Sequence, residues 1–365
     1  MTQRLAQFFS NIFLSKSHST FLLQASFNHI VMPAEPTKLD IIDSKISPEV
    51  RAAYNSKVAQ FQRDSKSYWQ FSIVPNKFVQ SLDETDDTKF NYLDQHFGKI
   101  GEWDDLVEEL HQLNKQADKD TQYKILFLAR HYTGYHNIAH AKYGDDAWNN
   151  HWSKLNGDDE YTWGPDAELI PESIELAKKN SKLVAKELEN NRHQNKSLIT
   201  PQKMYVSPLR RSIDTLYYTW DPIVDLHHIQ PYIQENWRET TGVHTCDKRS
   251  TRSIIVDKYE KLGFVIEPGF TEEDELYQDN YRESFDEQAA RMNVALQQLF
   301  TENHGNGVDI VGITSHSGSI KTQLLVLGHR PFAVQTGGMI PVFVRAVKKK
   351  GGLSGGEAGS SCKIL

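Results

Sequence analysis

The chain has 365 residues, 38% hydrophobic and 11% aromatic, enough for one large α/β domain with additions or for two smaller domains. A formal net charge of -7 offers no clustered basic surface for phosphate backbones, which sets nucleic-acid binding aside. Cys246 and Cys362 are too few for a disulfide framework or a cysteine zinc site and fit a reducing, cytoplasmic setting, and no apolar run approaches the ~20 residues that span a bilayer.

Residues 1–32 contain no Asp or Glu, and their composition resembles a mitochondrial transit peptide, but with only Arg4 and Lys16 as strong positive charges they read rather as a disordered or loosely packed extension. Residues 1–60 are therefore expected to form an N-terminal extension. Within it, Ser47 and Pro48 look like the N-cap and first residue of a polar amphipathic helix reaching about Arg63. Residues 68–90 mix aromatics with Pro75 and an acidic run at 83–87, as in a segment wrapped on a domain. That domain is expected over 61–347.

Leu106, Leu110 and Leu113 mark an amphipathic helix from about Trp103. Residues 123–129 are a short apolar run, expected to form a strand buried on both faces and ending on Arg130-His131. A helix is expected over 138–152, a turn-rich segment over 156–166 and a long helix over 172–190. A second strand, 203–206, ends at Ser207-Pro-Leu-Arg-Arg211 and opens into a helix. Residues 235–249 carry charge without periodicity and read as a loop, and 285–300 read as a helix. A third buried strand, 308–314, ends at Ser315-His316-Ser-Gly318 before a helix over 320–327, with further strands at 332–335 and 341–347. This alternation predicts a three-layer α/β sandwich with a mostly parallel central sheet and helices on both faces.

Three strands thus end in Arg130-His131, Arg211 and His316. Brought to one sheet edge, they would give two guanidiniums and two imidazoles, a set suited to a phosphate dianion. An imidazole kept neutral by neighbouring cations can also serve as a nucleophile. These residues, with Asn137 six positions after His131, Trp237-Arg-Glu239 and Ser315-His316-Ser-Gly318, resemble the histidine phosphatase superfamily, also called phosphoglycerate mutase-like. The likeness is greatest to its fungal phosphomutase-like branch and covers roughly 68–347, including His244-Thr-Cys-Asp-Lys-Arg249 and Gly328-His-Arg330.

The resemblance implies that His131 attacks phosphorus and becomes a phosphohistidine. By the same token Arg130, Arg211 and His316 hold the phosphoryl oxygens, and Asn137 and the N–H groups after His316 add donors. Glu239 protonates the leaving alkoxide and then activates water. The implied activity is a phosphomonoester phosphatase acting on a small phosphorylated metabolite. A phosphomutase of the same mechanism is one alternative; an inactive binding protein that retains the fold is the other. The latter is motivated by Tyr132, which stands where the family usually has glycine and predicts a narrowed or blocked pocket. Arg210 and Glu235 are given no catalytic role.

His136 and His140, one helical turn apart, could share a zinc ion, but no third ligand sits at a matching spacing. No nucleotide-binding fingerprint is visible, so neither metal nor cofactor is expected. Residues 348–365 read as a flexible tail, basic at Lys348-Lys-Lys350, then Gly/Ser-rich. Cys362, the fourth residue from the end in a sequence closing on Leu365, fits the geranylgeranylation pattern and peripheral membrane attachment, or is a chance cysteine.

Overall fold

The computed structural model describes residues 35–189 and 199–353. Residues 1–32 and Cys362, on which the targeting and prenylation readings rest, lie outside the described residues. In chain order the principal elements are α1 (Lys38–Ser44), α2 (Pro48–Asp64), β1 (Ser67–Ile73), α3 (Trp103–Gln116), β2 (Thr121–Arg130) and α4 (Tyr135–Tyr143). They continue with α5 (Pro171–Glu187), β3 (Lys203–Val206), α6 (Arg210–Trp220), β4 (Tyr232–Ile233), α7 (Arg252–Tyr259) and β5 (Val265–Ile266). The last are α8 (Phe285–Glu302), β6 (Ile310–Ser315), α9 (Ser317–Leu327) and β7 (Met339–Lys350).

The strands form one mixed sheet in the order β1-β7-β2-β6-β3-β4-β5. The run from β2 through β6, β3 and β4 to β5 is parallel, whereas β7 is antiparallel to β2 and to β1. The mostly parallel α/β sandwich expected from the alternating pattern is the one found. Its centre is built from apolar stretches: Ile125, Leu126, Phe127 and Leu128 of β2 and Val311 and Ile313 of β6 are all buried. Continuous apolar runs of this kind need helices on both faces to shield them.

Several local expectations shift. Residues 67–73, read as a wrapped segment, form edge strand β1, where Trp69 N–H donates to Gln297 Oε1 and the Trp69 carbonyl accepts from Gln297 Nε2. The helix expected over 138–152 breaks at Gly144, whose φ of 75° opens the chain between α4 and a short helix, Asp145–Asn150. Residues 332–335 form no strand, because their backbone groups serve loop partners: Ala333 N–H donates to Asp87 and the Val334 carbonyl accepts from Arg130.

The expected boundaries at 61 and 347 both fall inside packed elements. α1 packs against α9 and α2 against α8, and β7 runs on to Lys350 in register with β1. Thr37 caps α1 in a reciprocal box with Asp40, so even this seven-residue helix has its first turn satisfied.

Candidate active site

The parallel strands β2, β6 and β3 end level with one another: Arg130 lies opposite Ser315, and Val206 opposite Thr314. His131 N–H donates to the Ser315 carbonyl (3.0 Å) and Ser207 N–H to the Thr314 carbonyl (3.1 Å), which carries the pairing one residue beyond each strand. Each chain then turns into a helix: β2 into α4, β3 into α6 and β6 into α9. Strand tips and helix N-termini meet here, the usual place for ligands in such sheets.

His131 occupies the centre. Its ring lies 5.1 Å from that of His316 and 5.3 Å from that of His136. Its Nδ1–H donates to the Tyr132 carbonyl at 2.6 Å, while Arg211 Nε–H donates to Nε2 at 3.3 Å. A proton on Nδ1 leaves Nε2 unprotonated, with its lone pair accepting from Arg211. Burial, then the charges of Arg211 and Arg130, hold this imidazole well below its usual pKa and hence neutral at pH 7.

Arg211 is buried and fixed from behind. Its Nη1 donates to the Cys246 carbonyl (2.7 Å) and Nη2 to Asp247 Oδ1 (2.8 Å). Arg130 is buried as well, with Nη1 donating to the Val334 carbonyl (2.7 Å) and to Asp40 Oδ1 (2.5 Å). His316 Nε2 lies 2.7 Å from Ser207 Oγ and 3.2 Å from Ser212 Oγ. Three buried nitrogens of this group, Arg130 Nε, His136 Nδ1 and His316 Nδ1, have no hydrogen-bond partner. Buried polar atoms are rarely left so, and a cluster of them suits a ligand rich in acceptors.

Glu239 reaches the same edge. Its Oε2 accepts from Gly318 N–H at 3.2 Å, two residues past His316, and Oε1 accepts from Thr240 N–H (2.9 Å) and Gln288 Nε2 (3.3 Å). A Cβ on Gly318 would stand 2.2 Å from Oε1, so the close approach depends on glycine there. One of the N–H groups expected for phosphate is therefore already taken by this carboxylate. Fully buried Arg238 braces the segment through Asp274, Glu235 and the Asp247 carbonyl, tying Glu239 to the turn that holds Arg211.

Asn137 caps α4, its Oδ1 accepting from Gly134 N–H at 3.0 Å. His140 turns away to Asp145 (2.8 Å) and stacks on Trp148, so His136 and His140 do not form the pair that a shared zinc would need. Arg210 is committed to Glu168, and Glu235 to Arg238 and Arg249, both supporting roles.

Tyr132 departs from expectation. Its ring packs with Leu169 and Ala177, its hydroxyl accepts from Asn180 Nδ2 (3.1 Å), and a Cβ on Gly337 would meet the ring at 2.3 Å. The side chain is thus built into the core behind the site. The ring fits because the small residue sits at Gly337, across from it.

Sequence reasoning overlooked three supporting groups: Asp40, Asp247 and Ser212. Asp247 lay within a motif already noted, 244–249, but only its distance from Arg211 in space gives it a role. His244, Cys246 and Asp247 place ligand atoms within 4.8 Å of one another, a cluster of metal-binding type. It fits a cation poorly, since Asp247 already faces Arg211 and Arg282 and burial raises the Cys246 thiol pKa far above its usual value.

The profile of the histidine phosphatase superfamily (branch 1) matches residues 156–334, which include Arg211, Glu239 and His316. A protein named "Probable phosphoglycerate mutase" from Arthroderma benhamiae is 36% identical over 294 residues, covering 75% of this chain and 84% of its own. The chain belongs to the histidine phosphatase superfamily. A second relative of the same name, from Saccharomyces cerevisiae, is 31% identical and matches over 93% of its length and 75% of this chain. Among solved structures, a phosphoglycerate mutase from Bacillus anthracis aligns with 65% of this chain and 96% of its own, at 13% identity and a TM-score of 0.39. Among the described residues no helix is long and apolar enough to cross a membrane.

Proposed function

We propose that the protein is a phosphomonoester phosphatase that works through a phosphohistidine on His131. The observation that carries this reading is the tautomer: Nδ1–H is engaged by the Tyr132 carbonyl, so Nε2 presents its lone pair beside the Arg211 guanidinium. In the first step Nε2 attacks phosphorus, the P–O bond to the substrate breaks, and Glu239 gives its proton to the departing alkoxide. In the second, Glu239 takes a proton from water as the oxygen attacks phosphorus and the N–P bond breaks. Arg130, Arg211, His316 and the Nδ2 amide of Asn137 supply fixed donors for the charge on the transferring group. The substrate is a small phosphorylated metabolite, and the chemistry needs no metal.

The names of the fungal relatives favour a second reading within the same chemistry, in which a sugar or acid hydroxyl, rather than water, takes the phosphoryl group. Both begin with the same intermediate. The test is to mix full-length protein with a 32P-labelled phosphomonoester, quench, and look for label that is lost in acid and retained in base. We expect such label in the wild type and none in His131→Ala, whose turnover falls to background. Equal labelling of both would overturn the reading. The product, inorganic phosphate or a second ester, then separates hydrolysis from transfer.

A further inference from the structure

The two arginines of the site are mounted in the same way. Arg211 is held through its Nη atoms by a main-chain carbonyl, Cys246, and a carboxylate, Asp247, and points Nε at His131. Arg130 is held through Nη1 by a main-chain carbonyl, Val334, and a carboxylate, Asp40, and keeps a buried Nε with no partner. From this repetition we propose that Asp40 is a positioning residue for the reaction, orienting Arg130 toward the phosphoryl group, and that helix α1 is thereby part of the active site. The inference rests on the phosphohistidine reading above.

Asp40 is itself well fixed. Its Oδ2 accepts from Thr37 N–H and Thr37 Oγ1, each at 2.8 Å, which closes the capping box of α1 and leaves Oδ1 for Arg130. The helix lies on α9, the element that begins directly after His316, so its placement follows the same part of the fold as the site. Both partners are 7% exposed. A buried pair of this kind is costly to desolvate and is no strong source of stability in itself, which leaves orientation as its physical use. Burial works against ionisation of Asp40, but the charge and hydrogen bond of Arg130 outweigh it and hold the carboxyl below its usual pKa, so the pair is charged at neutral pH.

A merely structural pair would stabilise α1 without touching turnover. A competing carboxylate would do the opposite of positioning: it would shield Arg130 from phosphate, and its removal would tighten phosphate binding. These readings separate in full-length Asp40→Asn, Arg130→Ala and the double variant. Turnover of an aryl phosphate, binding of inorganic phosphate by calorimetry, and thermal melting would be measured for each, with His131→Ala alongside.

We expect Asp40→Asn to lower kcat about ten- to a hundredfold, as a small misplacement of a positioned group does. Inorganic phosphate should bind more weakly, and melting should change little. In the Arg130→Ala background the same substitution should have no further effect on kcat. Wild-type kcat and phosphate affinity in Asp40→Asn would overturn the inference, as would tighter phosphate binding or a kcat loss undiminished without Arg130. Should Asp40→Asn fail to fold, Asp40→Glu carries the test, since it keeps the charge and moves the guanidinium; wild-type kcat there would be equally fatal. Failure of the phosphohistidine reading shows separately, as wild-type turnover in His131→Ala, and phosphate binding still reports on Asp40 in that event.

Discussion

The Arg211 side and the Arg130 side of the site solve one problem with different materials. On the Arg211 side every part comes from the stretch matched by the superfamily profile: the turn at 245–247 supplies both anchors, and Arg238 ties that turn to Glu239. On the Arg130 side the anchors come from opposite ends of the chain, Asp40 from the first described helix and Val334 from the irregular segment before β7. The first arrangement is locally redundant and the second is assembled from afar. A buried arginine can thus be held by a compact motif or by a distant helix.

The largest expected effect tests the compact side. Arg211→Ala removes the donor to His131 and leaves Asp247, 3% exposed, with only the half-exposed Arg282. Turnover should become undetectable, and chemical denaturation should show a loss of about 3–5 kcal/mol, the usual cost of stranding a buried charge. Arg130→Ala should also lose turnover but unfold closer to wild type, because Asp40 retains its bonds to Thr37. Equal destabilisation by the two would mean that the source of the anchors, a compact motif or a distant helix, makes no difference to stability.

The next effect concerns the ring behind the Arg130 side. Tyr132 fills space among Leu169, Ala177 and Gly337, so Tyr132→Gly opens a cavity and should cost about 3–5 kcal/mol without raising turnover. Tyr132→Phe gives up the hydroxyl's bonds with Asn180 and Tyr92, about 1 kcal/mol each, and should turn over normally. A large gain in kcat for Tyr132→Gly would restore the idea of a blocked pocket.

The contrast also explains what could be read from the sequence. Arg130, His131, Arg211 and His316 were legible because each follows a short apolar run that must be a buried strand, and parallel strands bring such ends together. Asp40 was not, since a carboxylate in a short polar helix looks the same whether it faces water or an arginine ninety residues away in the chain. Strand β1 was missed for a similar reason: its alternation is weak, and only pairing with β7 makes it a strand. The side on which Tyr132 would sit depended on Gly337, two hundred residues further on, and no local pattern couples the two.

Acid should separate the two sides at different pH. On the Arg211 side burial, then the charge of Arg282, brings His244 down to about 4 despite the nearby Asp247. Between its unfolded value near 6.5 and about 4, the unfolded chain binds a proton at His244 that the folded chain does not. Stability therefore falls as pH drops through that window, by about 1.4 kcal/mol per pH unit from this histidine alone. The Asp40 pKa is lowered as well, but for a carboxyl group this gives stability that is complete well above 3.8 and lost only as pH falls below it. Urea unfolding at pH 7.5, 6 and 5 should show a shallower pH slope in His244→Gln than in wild type, by about that amount. Asp40→Asn should leave the slope in this range unchanged. An unchanged slope in His244→Gln would mean that this imidazole is protonated in the folded protein, with Asp247 then shared between it and Arg211.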